Sequence, residues 1–174
     1  IIKKKLKDVI TIIAPRHINR VNEIKNLCTK FNLSYQILDK ENFINIDKEI
    51  IILNSFGVLP SYFKYSKNVF IGKSAIRKLK KVGGQNPLDA ANLGCRIYHG
   101  PYVYNFNEIY KILNQIKISR EISSPEDLAR NLILDIQDSS KKVELNSEIL
   151  SELSQKSLNN NMREINKFLS NEII

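Results

Sequence analysis

Val9-Ile10-Thr11-Ile12-Ile13 is a nearly continuous apolar run closed by Ala14-Pro15. It lacks strict polar alternation, so it predicts a strand covered on both faces, as in a parallel sheet. The period then changes. Val21, Ile24 and Cys28 recur at spacings of three and four, which predicts a helix from about 18 to 31. Ser34 to Leu38 predicts a second strand, and Ile50-Ile51-Ile52-Leu53 a third that leads into an Asn54-Ser55-Phe56-Gly57 turn. A short helix is expected from Pro60, because proline suits a first helical turn. Asn68 to Ile71 predicts a fourth strand.

Beyond it, the stretch from Gly72 to Gly84 is rich in Lys and Gly and predicts a loop. A helix is expected from about Pro87 to Leu93, ending at Gly94. Cys95 to Tyr98 predicts a fifth strand, Phe106 to Ile116 a helix, and Ile118 to Ile122 a short sixth strand. Ser124-Pro125-Glu126-Asp127 is a helix start, with a Ser cap, Pro at the first position and acids in the first turn. From about Lys142 the chain is polar and helical in pattern, with an expected break at Asn159-Asn160-Asn161, so a terminal helix or helix pair is expected. Strands alternating with helices predict an α/β layered domain around a parallel sheet.

Composition bounds this picture. The 174 residues suffice for one domain with a hydrophobic core and are too few for two substantial ones. A hydrophobic fraction of 43% and a charged fraction of 26% place the chain with soluble globular proteins. The net charge of +9 favours polyanions or an anionic membrane surface, yet it equally describes a solvated basic surface. There is no arginine-rich arm and no aromatic RNA-binding signature, so nucleic acid is not expected. The two cysteines, Cys28 and Cys95, have neither disulfide nor metal-ligand spacing and are expected to be buried free thiols in a reducing cytoplasm. The sequence contains no signal peptide or membrane-spanning run. It starts at Ile1 rather than Met, as a piece of a longer protein would.

In a parallel sheet, ligands bind beyond the carboxyl ends of the strands. The loops expected there hold the chain's unusual residues: Ala14-Pro15-Arg16-His17, Asn54 to Val58, Gly72 to Asp89, and His99-Gly100-Pro101 onward to Asn105. Gly83-Gly84-Gln85-Asn86-Pro87 precedes a helix. Glycines admit close approach of a ligand, and the helix start offers free N–H groups to a phosphate, although an ordinary capped loop reads the same way. Asn86 can cap the helix. Asp89 can accept from ribose hydroxyls or simply complement the helix dipole. Arg16 can pair with a phosphate or serve as a surface charge. His17 and His99 are each a candidate base or a locally bonded histidine, and no acid at fixed spacing makes a triad. No HExxH pattern or His/Asp cluster suggests a catalytic metal.

The combination of Ala14-Pro15-Arg16-His17, Gly57-Val58-Leu59, Phe70-Ile71-Gly72, Gly83 to Ala91, and Gly100-Pro101 with Asn105-Phe106 resembles the carboxyl-terminal domain of the bacterial 3-deoxy-D-manno-octulosonic acid (Kdo) transferases, over about Val9 to Ile136. The resemblance implies a Rossmann-like donor domain at residues 1–140, the carboxyl-terminal half of a GT-B glycosyltransferase, with a helical extension at 141–174. It implies CMP-Kdo as the donor, with Pro15, Arg16, Phe56, Gly57, Val58, Asn86, Pro87, Leu88 and Asp89 at the CMP site. His17, Gly84, Gln85 and Asn105 are additional candidates. It further implies transfer of Kdo to a lipid A precursor at the cytoplasmic face of the inner membrane, with neither metal nor cofactor. The catalytic glutamate and acceptor surface are expected on an amino-terminal domain outside this chain, so the chain alone is expected to be inactive. The second loop departs from the family. Where an acid and a Gly-Glu-Leu are usual, this chain has Asn54 and Gly57-Val58-Leu59, and Asp89 stands where Glu is usual. Those departures motivate two alternatives: another GT-B nucleotide-sugar enzyme, or a remnant that binds a partner without activity.

Overall fold

The computed structural model describes residues 2–6, 8–39, 43–138 and 147–171. A short helix α1 (Ile2–Lys5) leads to strand β1 (Thr11–Ile13) and helix α2 (Val21–Lys30), entered through a 3₁₀ turn at Ile18–Arg20. Strands β2 (Tyr35–Leu38) and β3 (Ile50–Leu53) follow, then helix α3 (Leu59–Phe63) and strand β4 (Asn68–Phe70). The second half continues with helix α4 (Leu88–Asn92), strand β5 (Arg96–His99), helix α5 (Asn107–Gln115), strand β6 (Ser119–Glu121), and helices α6 (Pro125–Gln137) and α7 (Ser147–Asn171).

All strand pairs in the described residues are parallel, but they form two sheets, ordered β1-β3-β2 and β4-β5-β6. The single expected sheet is therefore divided. β1 and β4 are three-residue strands, each paired on one side only. β1 is accordingly not buried on both faces as its apolar run suggests: Thr11 is exposed, and Ile12 and Ile13 are half-buried.

The first sheet shows why β3 carries four apolar residues in a row. Ile50 and Ile52 pack under α2 with Val21 and Cys28, while Ile51 and Leu53 pack on the opposite face with Val58 and Tyr62. Alternate side chains enter opposite layers, so neither parity is free to be polar. In the second sheet, Ile97 and Leu113 are fully buried in a core shared with α4. Each contributes about 1.5–3 kcal/mol by leaving water. α3 bridges the two halves: Tyr62 packs on the first core and Phe63 on the second, and the Phe63 carbonyl accepts the Cys95 Sγ hydrogen at 3.2 Å.

The far face of the second sheet is polar. Asp135 of α6 accepts hydrogen bonds from Arg96 and from the Tyr98 hydroxyl, and Arg120 bonds to Asn131. Burial, followed by the Asp135 contact, pushes the Tyr98 phenol well above its ordinary value and keeps it a donor. Ser124 caps α6 as expected, its hydroxyl accepting from Asp127 N–H at 3.1 Å. Cys28 and Cys95 are buried and form no disulfide. α7 packs against α4 and runs without interruption through Asn159-Asn160-Asn161. The cost of asparagine in a helix is below about 1 kcal/mol per residue, too little to break a long helix. Part of the carboxyl-terminal extension, 141–146 and 172–174, lies outside the described residues.

Candidate functional site

The carboxyl ends of the strands carry two groups of residues. In the first sheet, the β1–β3 register pairs Ile13 with Ile52, so Pro15 and Arg16 leave β1 beside the start of the Asn54 turn. Arg16 and His17 are exposed, and Pro15 is half-buried. His17 opens the 3₁₀ turn through its carbonyl, which accepts from Arg20 N–H at 3.0 Å, and its side chain makes no capping bond. Among the described residues, Arg16 has no ion pair.

The Asn54 amide is already engaged, donating to Asp39 at the end of β2 at 2.8 Å. Val58 faces the core with Tyr62. Phe56 is 63% exposed, an unusual position for a phenylalanine beside a strand end. Gly57 lies beside it in open space.

The second group is tightly built. The segment 104–110 holds the loop at 81–85 by its carbonyls. Tyr104 Oη donates to Lys81 O, Asn105 Nδ2 to Gly84 O at 3.0 Å, and Tyr110 Oη to Gln85 O at 3.0 Å. With those carbonyls occupied by the protein, the electronegative ends of the loop peptides are neutralised, which suits an anion. Gly83 has φ +73°, and a Cβ there would overlap the Asn105 amide, so only glycine fits. Asn86 Oδ1 accepts from Leu88 N–H at 3.0 Å from two residues before the start of α4, while the N-cap position itself is Pro87. Asp89 is exposed in the first turn. Pro87 and Leu88 are buried, Leu88 in the main core, so any ligand contact from them runs through the backbone.

Beneath this loop lies a fixed base. Ser74 is fully buried; its hydroxyl donates to Ile71 O at 2.6 Å and accepts from Gly100 N–H at 2.9 Å. Gly100 abuts Ala75 so closely that any Cβ would collide with backbone. His99 is buried rather than open to a ligand. Its Nδ1 lies 2.8 Å from Gly100 O, its Nε2 3.3 Å from Asn114 Oδ1, and its ring 4.3 Å from that of Tyr110. Of its two sequence readings, the locally bonded one describes its position. Burial pushes the Tyr110 phenol well above its ordinary value, so it stays protonated and donates to Gln85 O.

Sequence reasoning missed Ser74, Tyr110 and Asp39. Tyr110 carried a signal: a tyrosine on the buried stripe of a helix needs a partner for its hydroxyl. Ser74 and Asp39 carried none. Among the described residues, no hydrogen bond or ion pair joins Arg16, His17 or Phe56 to the 83–89 loop, and no group of three His, Cys, Asp or Glu side chains converges as metal ligands.

No family model matches the chain. It is similar to a bifunctional glycosyltransferase/methyltransferase of Fusobacterium nucleatum, 30% identical over 146 residues, which is 83% of this chain and 22% of that protein. It is similar to the 3-deoxy-D-manno-octulosonic acid transferase of Rickettsia bellii, 30% identical over 171 residues, 96% of this chain and 40% of that protein. The enzyme of that name from Aquifex aeolicus is 23% identical over 150 residues, 85% of this chain and 40% of the relative. Among solved structures, the C-terminal CMP-Kdo binding domain of WaaA from Acinetobacter baumannii superposes with a TM-score of 0.71 at 18% identity, covering 88% of this chain and 76% of that one. That likeness shows the fold, an α/β domain with parallel strands flanked by helices. The chain thus spans between 22% and 40% of the length of these curated relatives.

Proposed function

We propose, from the premise that this chain is homologous to the 3-deoxy-D-manno-octulosonic acid transferases over most of its length, that it is the donor-binding part of such a glycosyltransferase and holds CMP-Kdo. The observation that carries this reading is the 83–89 loop. Its carbonyls are tied back by Asn105 and Tyr110, its helix start is set by Asn86, and Asp89 stands exposed beside it. In this reading the backbone amides at Gly84, Gln85 and the start of α4 meet the CMP phosphate. Asp89 accepts from ribose hydroxyls, and Phe56 offers an aromatic face to the base. Arg16 supplies the positive charge that steadies the phosphate as CMP leaves. His17 borders the same strand end. No metal or cofactor takes part.

The whole protein's activity extends this proposal. The acceptor hydroxyl of a lipid A precursor attacks the anomeric carbon of Kdo, assisted by a carboxylate base. Both the base and the acceptor surface belong to a part of the protein outside this chain. The reaction then runs at the cytoplasmic face of the inner membrane, in lipopolysaccharide synthesis. Residues 1–140 would form the donor domain and 141–174 its extension. No described helix is long and apolar enough to cross a membrane.

Titration with CMP, UDP and GDP tests the donor assignment. Selective binding of CMP supports it. Preference for UDP points instead to another nucleotide-sugar enzyme of this architecture. Binding of none of them supports a partner-binding remnant, a reading favoured by Asn54, spent on Asp39, and by Val58, turned into the core.

A further inference from the structure

The segment 73–82 has a pattern that donor binding does not use. Backbone bonds run from Ile76 N–H to Lys73 O, Leu79 to Ile76, Lys80 to Arg77 and Val82 to Leu79, each closing a three-residue turn. Three residues per turn set every third side chain in one row. Ile76, Leu79 and Val82 recur at that spacing, with Ile76 extended just before the 3₁₀ turn Arg77–Leu79 and Leu79 half-buried. The flanking rows are Arg77 with Lys80, and Lys78 with Lys81. Ile76 is 51% exposed and Val82 50% exposed, although both are large aliphatic side chains. The segment contains five cations, Lys73 included, and no acid. Among the described residues, none of the five has an ion pair.

The segment is also held at both ends. Ser74 O accepts from Tyr102 N–H at 2.8 Å, and Lys81 O accepts from Tyr104 Oη. It is thus a fixed surface feature with an apolar row between two basic rows. That arrangement fits neither a folded core nor a purely solvated charge run.

We infer that the 73–82 segment is a membrane-surface contact that docks on anionic lipid headgroups, with Ile76 and Val82 entering the headgroup–acyl boundary and Arg77, Lys78, Lys80 and Lys81 meeting the phosphates. The charge rows are complementary to an anionic leaflet, and the apolar row selects lipid over a nucleic acid, which offers no apolar phase. Because Val82 is followed directly by Gly83 and Gly84, docking would set the donor loop close to the lipid surface. The inference goes beyond donor binding and does not require it.

Flotation of the 174-residue chain with vesicles of phosphatidylcholine, with and without phosphatidylglycerol, tests it. The expected result is binding that needs phosphatidylglycerol and weakens with salt. Arg77→Gln with Lys78→Gln should lower the vesicle partition about fivefold per charge removed, and Ile76→Ser with Val82→Ser should lower it without changing the salt dependence. Thermal unfolding and CMP titration of the same variants should be unchanged, so loss of lipid binding is separable from misfolding and from failure of the donor site. Equal binding to neutral vesicles, variants that bind as the parent does, or tighter binding to RNA than to anionic vesicles would overturn the inference.

Discussion

Asn105 donates from Nδ2 to the Gly84 carbonyl at 3.0 Å, and the same amide occupies the space that a side chain on Gly83 would need. One residue from the 104–110 segment thus holds the Gly84 carbonyl and fixes the identity of Gly83. Gly83→Ala should lower stability by about 2 kcal/mol or more, from the left-handed backbone at φ +73° and the overlap together. For a domain this size that is a fall in Tm of roughly 2–4 °C per kcal/mol in a thermal melt. Adding Asn105→Ala should restore the part due to overlap and leave the part due to φ. If the double variant loses as much as the sum of the two single changes, or more, the overlap is not the cause.

Ser74 is the next test of the framework. Ser74→Ala removes the acceptor of the Gly100 N–H and leaves that buried donor without it. The expected cost is about 1–3 kcal/mol by denaturant titration, with no change in the slope of the transition.

These two sites show how far the sequence carried. The glycine–asparagine–proline chemistry of the 83–87 loop was legible, because turns and helix starts need particular residue types. So was β3, whose apolar run reflects packing on both faces. The edge position of β1 was not legible, since Ile12 and Ile13 read the same whether one neighbour or two lie alongside. Nor was the division into two sheets, which is a matter of strand partnering. Ser74 could not be found because a single buried serine leaves no periodic trace. Asn159-Asn160-Asn161 read as a break because local preference was given more weight than α7's length allows.

The start of α6 predicts a pH dependence. The Ser123 backbone N–H and the Arg130 guanidinium hold the Asp127 carboxyl below its ordinary value of 3.8. A depressed folded-state value means the contribution is present above the ordinary carboxylate range and is lost as pH falls through the folded value. The stability difference between the parent and Asp127→Asn should therefore be flat near neutrality and shrink on acidification. A difference that grows on acidification would contradict the Asp127 assignment. Chemical denaturation over a pH series reads it directly.

Donor binding makes a prediction at exposed positions, where stability and affinity separate. Arg16→Ala should weaken CMP binding by about tenfold or more, the worth of a hydrogen bond to a charged group. Phe56→Ala should weaken it by a similar factor if the ring stacks on cytosine. Both side chains are exposed, so thermal melts should stay within about 0.5 kcal/mol of the parent. Calorimetric titration measures the affinities.

Backbone amide chemical-shift mapping during CMP titration tests the central claim most directly. The account predicts saturable shifts at Gly84, Gln85, Leu88 and Asp89 together with Arg16, and smaller shifts with UMP or GMP. Absence of shifts at these amides at millimolar CMP, or equal shifts with all three nucleotides, would contradict it.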